Sequence, residues 1–389
     1  MRVVVVGAGI GGLAVAIGLQ RAGNDVVVLE EASALRSSGA AVSIWFNGAA
    51  ALSMLEVGLS GHGRRIDRLR MLRPDGAVWS EIDAARLASR FGVEARTIAR
   101  RDLIELLAGR LDPQTVRFAA SVRSVRPGQD QATVELDGGE TIGADLVVGA
   151  DGQRSRVRPA VTSLPGPRPT GWASWQGLTP VELAVTGGTD SLYAVGPEAA
   201  VGLMPAGEGL LQWWFDVRWP TEAEPASVLG WLRACFSSWG SPVADLLASI
   251  SEEDLELFPH VTSSVPVLLH RGRVVLIGDA AHAMPPALAQ GANQTLDDAR
   301  VLAEALAHRR VDAALAEYQR RRRRRAAAVV RVASLPWFEW YGAAARMGRH
   351  WRPPVRVTTA LYGAAIGAAS SRLGPGRSRQ PGPGHVSLG

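Results

Sequence analysis

The chain has 389 residues, 47% of them hydrophobic, with a formal net charge of +5 and a single cysteine, Cys235. That is enough apolar sequence for a large core, and it excludes an internal disulfide and a cysteine-based metal cluster; no signal peptide is expected ahead of the first strand, and the cytoplasm is the expected compartment. All 42 basic residues are arginine, and residues 320–389 hold 14 of them against the single Glu339, so the positive charge belongs to the C-terminal segment and no nucleic-acid partner is expected.

In chain order, RVVVV (2–6) reads as a strand buried on both faces, residues 10–22 as a helix with Leu13, Ala16 and Ile17 inward, and DVVVLE (25–30) as a second strand. The chain therefore opens on a βαβ unit. Between strand and helix lie Gly7, Gly9 and Gly12 of a G-x-G-x-x-G pattern, with Gly11 among them. Gly7 suits the tight turn, Gly9 lets a pyrophosphate approach the backbone, and Gly12 lets helix and strand pack closely. The helix N-terminus then stabilises phosphate charge. Glu30, followed by Glu31, ends the second strand, where its carboxylate can accept from ribose hydroxyls. These features imply NAD or FAD without choosing between them.

Further on, ADLVVGAD (144–151) and RVVLIGD (273–279) are apolar strands, each followed by a loop and a helical pattern, which places the chain in the doubly wound α/β class. Residues 170–220 change texture. GWASWQGLTP, SLYAVGP, AVGLMPAGEG and LLQWWFDVRWP are short, aromatic and punctuated by Gly and Pro, the pattern of antiparallel strands. Alternation puts Gln212 and Trp214 on one face and Trp213 and Phe215 on the other. The expected organisation is a nucleotide-binding domain of residues 1–165 and 266–330, a sheet domain of residues 166–265 joined by part of 66–95, and a helical tail over 331–389 ending in a disordered GPGRSRQPGPGHVSLG. VDAALAEYQ reads as a helix running into Arg320–Arg325, expected as a solvated helix end. LYGAAIGAA (361–369) is too short to cross a bilayer, which takes about 20 residues.

The stretch GDAAHAMPPALAQGANQTLDD (278–298) leaves a strand on Asp279, crosses a loop rich in Pro and Gly, and starts a helix near Gln294, a layout suited to wrapping a bound molecule. With the N-terminal motif, it resembles the aspartate-containing flavin motif of the single-component FAD monooxygenases of the aromatic-hydroxylase type, the group of p-hydroxybenzoate, salicylate and urate hydroxylases. ADLVVGADGQRSRVR (144–158) is similar to that family's Asp-Gly motif, IARRDLIELL (98–107) to its Arg-x-x-Leu segment, and GAAVSIWFNGAAALSMLEVGL (39–59) to the segment that lies along the flavin. The likeness runs in order over about residues 1–330.

The resemblance implies a Rossmann-like FAD-binding domain with an inserted antiparallel β-sheet substrate domain. It places Asp279 on the ribityl chain, Pro286 near the reactive edge of the ring, and Gln290 with the backbone N–H groups of Gly291, Ala292 and Asn293 at the pyrimidine end. Arg100 would reach the phosphate or the ring, Ser43 and Val122 would touch the cofactor, and Asp151 is either a contact for NADH or NADPH or simply a good turn residue. His282 is expected to be packed or backbone-bonded. The family has Gly where this chain has Ala289, so a positive φ there would be strained.

By the same resemblance NAD(P)H reduces the flavin, O2 adds to form a flavin C4a-hydroperoxide, and one oxygen passes to a small aromatic molecule by hydroxylation or epoxidation. Met204, Gln212 and Trp214 are the expected substrate-facing residues. Positions where the urate-type branch carries Arg and Tyr are matched here by Ala200 and Gln212, which points to a larger aromatic or polycyclic substrate of secondary metabolism, held by apolar contact. No side chain stands out as a catalytic base, and no metal site is expected. A reductase or dehydrogenase of the same fold, which inserts no oxygen, is the alternative.

Overall fold

The computed structural model describes residues 1–35, 39–219, 225–337 and 352–371. The first half of the chain comprises β1 (Arg2–Val6), α1 (Ile10–Arg21), β2 (Asp25–Leu29), β3 (Ala41–Ile44), α2 (Phe46–Met54), β4 (Arg64–Arg65), β5 (Arg68–Leu72), β6 (Val78–Asp83), α3 (Ala84–Phe91), β7 (Arg96–Ala99), α4 (Arg100–Ala108), β8 (Val116–Arg117), β9 (Val122–Arg126), β10 (Ala132–Leu136), β11 (Thr141–Ala144), β12 (Leu146–Gly149) and α5 (Arg158–Val161). Then follow β13 (Arg168–Pro180), β14 (Asp190–Val195), β15 (Ala200–Gly207), β16 (Leu210–Arg218), α6 (Val228–Cys235), α7 (Val243–Ser249), β17 (Glu256–Thr262), β18 (His270–Arg271), β19 (Val274–Leu276), α8 (Asp279–His282), α9 (Gly291–His308), α10 (Val311–Ala333) and α11 (Val355–Ala369).

The valine runs assemble as their composition demands. β18-β19-β12-β1-β2-β8 form a six-stranded sheet, parallel except at β18, with Val4 between Val27 and Val147. Helices such as α1 and α9 and the three-stranded sheet β11-β10-β9 pack into one core with it, so Val3, Val4 and Val5 are fully buried together with Leu13, Val28, Val147 and Leu302. A continuous apolar strand is stable only where both faces are covered in this way.

The aromatic segments build a second sheet of seven strands, ordered β17-β13-β16-β15-β14-β5-β6. It is antiparallel except where β14 runs parallel to β5, because β5 and β6 arrive from the early part of the chain rather than through a hairpin. Trp213 and Phe215 point to one face, where α6 and α7 cover them. Met204 and Trp214 point to the other. A small sheet, β3-β7-β4, lies on that second face and joins the two halves: Gln212 Oε1 accepts from Ala41 N at 2.5 Å, and Ser43 Oγ donates to Met204 Sδ at 3.1 Å.

The C-terminal segment differs from a free tail. Helix α11 packs on β6 and α2, with Thr359 Oγ1 accepting from Asp83 N at 2.9 Å and Tyr362 edge-on to Trp45 at 5.5 Å. Ala369 O accepts from Gln294 Nε2 at 3.1 Å, so the chain returns to the start of α9. The stretch expected to be disordered, from residue 374 onward, lies outside the described residues. No described helix is long and apolar enough to cross a membrane.

Candidate active site

The N-terminal glycines divide by what surrounds them. Gly7 has φ +99° and a Cβ there would stand 2.7 Å from Ala150 O, while one at Gly12 would stand 1.9 Å from Gly7 O. Both are therefore required by the fold itself. Gly9 is different: its φ of −78° suits any residue, and a Cβ built there meets nothing within 4 Å. Neither conformation nor internal packing accounts for that glycine. Open space directly at the N-terminus of α1 does, because a phosphate can be received there by unpaired N–H groups. Glu30 stands beside this cradle, with Oε2 accepting from Ala8 N at 2.7 Å and Oε1 from Ala32 N at 3.0 Å. Glu31 is exposed.

The second loop meets the first through a residue that sequence reasoning missed. The Thr295 side chain touches the positions where Cβ atoms of Gly11 and Gly278 would be, so the starts of α1 and α9 and the end of β19 converge on one threonine. Gly278 turns the chain at φ +58°, and Asp279 opens α8 with its carboxylate 3.4 Å from Gln153 Nε2. Arg158, inside the ADLVVGADGQRSRVR segment, is buried and donates to Ala280 O at 2.8 Å and Ser264 O at 2.9 Å, fixing α8 from below. Burial pushes its guanidinium pKa down.

Pro286–Leu288 form a single 3-10 turn, and Ala289 follows at φ +48°, ψ +37°. The positive φ expected as a strain at this position is present. For alanine the left-handed region costs about 1–2 kcal/mol. Helix α9 begins at Gly291, three residues before the start near Gln294 that the sequence suggests. The N–H groups of Gly291, Ala292 and Asn293 thus form its first turn, where no intrahelical acceptor exists. Asn293 uses its side chain for the scaffold: Oδ1 accepts from Trp45 N at 2.8 Å, and Nδ2 donates to Ser43 O at 3.0 Å and Ala289 O at 2.8 Å. Gln290 is also buried, its Oε1 accepting from Asn47 Nδ2 at 2.9 Å. The strand bearing Ser43 is in this way fastened to the loop.

Of the other expected contacts, Val122 is buried at the start of β9. Arg100 opens α4 with its aliphatic chain along Gly39, whereas the ion pair with Asp102 is made by Arg101 at 3.1 Å. The Asp151 carboxylate accepts from Ser155 Oγ at 2.7 Å, Arg156 N at 2.6 Å and Val157 N at 3.1 Å. Burial raises its pKa against those hydrogen bonds. On the substrate-facing side, Met204 and Gln212 are engaged with β3 and β7, and Trp214 joins Trp45, Met204 and Ala289 in one apolar cluster. Gln176, the cross-strand neighbour of Trp214, lines a cleft of about 400 Å³ that also touches Ala40, Ala99 and Leu178.

Behind the loop sits a charged network that corrects two expectations. His282 is neither simply packed nor backbone-bonded: its Nε2 lies 2.5 Å from Asp298 Oδ2, which also accepts from Gly278 N at 2.9 Å. The arginine run is not a helix end, since α10 continues to Ala333, and Arg322 is fully buried. Its guanidinium donates to Asp298 Oδ1 at 2.6 Å, Asp297 Oδ2 at 2.5 Å and Gln294 Oε1 at 2.8 Å. One helix face turned inward suffices to select a single arginine of six. Burial alone would raise the Asp298 pKa, but Arg322 and His282 outweigh it and hold the carboxyl well below the usual range.

An open glycine at the start of α1, a second loop headed by an aspartate and the start of α9, brought together at Thr295, make an arrangement suited to a dinucleotide. The chain matches the FAD binding domain family over residues 84–333 and the NAD(P)-binding Rossmann-like domain over residues 5–60. It is 33% identical over 324 residues to the aurachin C monooxygenase/isomerase of Stigmatella aurantiaca, covering 82% of this chain and 84% of that protein. To the FAD-dependent urate hydroxylase of Klebsiella pneumoniae it is 32% identical over 336 residues, covering 82% and 85%. Among solved structures it resembles Klebsiella pneumoniae HpxO complexed with FAD and uric acid, with a TM-score of 0.87 and 26% identity over 95% of this chain and 97% of that one. The chain belongs to the FAD-dependent monooxygenases of the aromatic-hydroxylase family, and FAD is its cofactor.

Proposed function

We propose that the enzyme uses NADH or NADPH and O2 to hydroxylate or epoxidise an aromatic or polycyclic substrate of secondary metabolism. The bound flavin, reduced by the nicotinamide and reoxidised by O2, supplies the oxygen-transfer chemistry. The protein supplies position, charge and dryness. Gly7, Gly9, Gly11 and Gly12 would receive the pyrophosphate, Glu30 the ribose, Asp279 the ribityl hydroxyls, and the first turn of α9 the pyrimidine end, where positive partial charge suits an electron-rich ring. Arg100, Ser43, Val122 and Pro286 would complete the enclosure. Asp151, already held by its own loop, would shape the surface that the nicotinamide meets rather than bind it by its carboxylate. On this reading residues 1–165 and 266–330 carry the cofactor and the seven-stranded sheet carries the substrate.

The observation that carries this reading is the apolar cluster of Trp45, Met204, Trp214 and Ala289, set directly against the 286–293 loop. Oxygen transfer needs water kept away from the reacting atoms, and this wall would serve that end. The Gln212 amide oxygen is committed to Ala41 N, so that side chain offers little to a small, highly polar substrate. The test is substrate-stimulated O2 uptake by the FAD-loaded protein across a panel of aromatics, with mass detection of a product that has gained one oxygen. Turnover without O2 and without oxygen incorporation would instead establish a reductase. Asp279→Ala is expected to weaken FAD binding about tenfold or more, the loss of a hydrogen bond to a charged group, read as flavin lost on gel filtration.

A further inference from the structure

Residues 262–273 run back along α10, antiparallel to it. Arg273 pairs with Asp312 near the start of the helix, Arg323 Nε donates to Pro266 O at 3.4 Å, and Ser334 Oγ lies 2.9 Å from Thr262 Oγ1 at its end. Between these points the Gln319 amide brackets Leu268, donating to Val267 O at 2.6 Å and accepting from Leu269 N at 2.7 Å. Pro266 and Leu269 turn inward and are buried, whereas Val267 and Leu268 turn out, 70% and 54% exposed. With its backbone fixed on both sides, this aliphatic pair is held away from the core. Beside it, α10 sorts its arginines. Arg321 is taken up by Glu304, Arg322 by Asp297 and Asp298, and Arg325 by Ser370 O. Arg320, Arg324 and Arg331 are exposed, and spacings of four and seven put them on one stripe. Arg320 pairs with Glu317, the last acid of the helix, while Arg324 and Arg331 have no acidic partner among the described residues.

We propose that this face docks on an anionic lipid bilayer, with Val267 and Leu268 entering the boundary between headgroups and acyl chains and Arg320, Arg324 and Arg331 lying at the phosphates. Charge complementarity selects an anionic partner, because from Tyr318 to Ala333 the helix carries no acid to offset its arginines. The aliphatic pair selects a membrane among polyanions. Valine and leucine gain nothing beside the solvated phosphates of a nucleic acid, but they leave water on entering a bilayer. Arginine suits the remaining positions, since its stem lies along apolar surface while its head stays at the phosphates. No described helix is long and apolar enough to cross a membrane, so the contact is peripheral and reversible. It is separate from the proposed reaction and would stand without it.

The test is flotation of the FAD-loaded full chain with vesicles of phosphatidylcholine alone and of phosphatidylcholine mixed with phosphatidylglycerol. The wild type is expected to float with the anionic vesicles and not with the neutral ones, and to be released as salt rises, because screening weakens exposed charges. Arg324→Gln/Arg331→Gln should lower affinity for the anionic vesicles about twentyfold, two arginines at about fivefold each. Val267→Ser/Leu268→Ser should lower it about tenfold. Both variants change only exposed side chains, so wild-type flavin content and melting temperature should be kept. A wild type that stays unbound, floats equally with neutral vesicles, or is matched in affinity by either variant would overturn the proposal. So would duplex DNA bound more tightly than the anionic vesicles by wild type and Val267→Ser/Leu268→Ser alike, which would make the face a nucleic-acid site. A wild-type dimer on gel filtration that Val267→Ser/Leu268→Ser dissociates would assign the aliphatic pair to a second copy of the chain and equally overturn it.

Discussion

Two buried aspartate–histidine contacts lie in different halves of the molecule: Asp298 with His282 behind the cofactor loop, and Asp216 with His260 in the seven-stranded sheet. The first is saturated with cations. Arg322 reaches both Asp298 and Asp297, and Arg300 reaches Asp297 again. The second has hydroxyl and indole donors instead, and among the described residues no arginine pairs with Asp216. Arg218, two residues further along the same strand, is held over the Trp172 ring. A carboxylate locked by a guanidinium stays ionised and serves as a clamp between β19 and α9. The Asp216 carboxylate is held instead by the hydroxyls of Ser174 and Tyr193 and the Trp214 indole N–H, all on the seven-stranded sheet.

The comparison can be broken most severely at Arg322. Arg322→Leu removes the guanidinium that two buried carboxylates share, leaving Asp297 only Arg300 and Asp298 only His282 as ionic partners, and a loss of about 3–5 kcal/mol in unfolding free energy is expected from denaturant titration. A loss under about 1 kcal/mol would show that the network is not a clamp. Acid should reveal the same clamp in the wild type. Asp298 has a folded-state pKa below its ordinary 3.8, so its contribution is present above that value and disappears as pH falls through the folded pKa. Stability is therefore expected to stay level from about pH 8 to 5 and to decline below about 4, followed by thermal unfolding across pH. Ser174→Ala, in the other pair, should cost only about 1 kcal/mol, because it removes a hydroxyl bridge and leaves no charge without a donor.

Ala289→Gly carries the smallest expected change. Relief of about 1–2 kcal/mol of left-handed strain is set against roughly 0.8 kcal/mol for the packed methyl and 0.5–1 kcal/mol for glycine's chain entropy, so stability should move by less than about 1 kcal/mol in either direction. A larger gain would mean that the methyl contributes nothing to the apolar cluster.

Local chemistry made the cofactor half legible. Valine runs with covered faces, Gly7 and Gly12 at a strand-to-helix turn, and Asp279 after an apolar strand each speak through short-range geometry, and even the strain at Ala289 could be anticipated. What escaped was long-range. Arg322 is indistinguishable in sequence from its five neighbours, and only the docking of α10 on α9 turns it inward. Asp297 and Asp298 look like ordinary helix-surface acids until that docking is known. Ser174, Asp216 and His260 are scattered over three strands, and no spacing rule joins them. The parallel join of β5 to β14 likewise depends on a connection from the other half of the chain. Strand alternation did separate Gln212 and Trp214 from Trp213 and Phe215, since that period is a property of each strand alone.

The central claim is that the opening glycine turn receives a flavin dinucleotide, and Gly9 tests it most directly. Its backbone is ordinary and no protein atom lies within 4 Å of a Cβ placed there, so Gly9→Val should fold with an unchanged melting temperature in the absence of flavin. The decisive measurement is the FAD content of that purified variant, read from flavin absorbance against polypeptide concentration. The account predicts a colourless, folded protein. A folded variant carrying as much FAD as the wild type would contradict it.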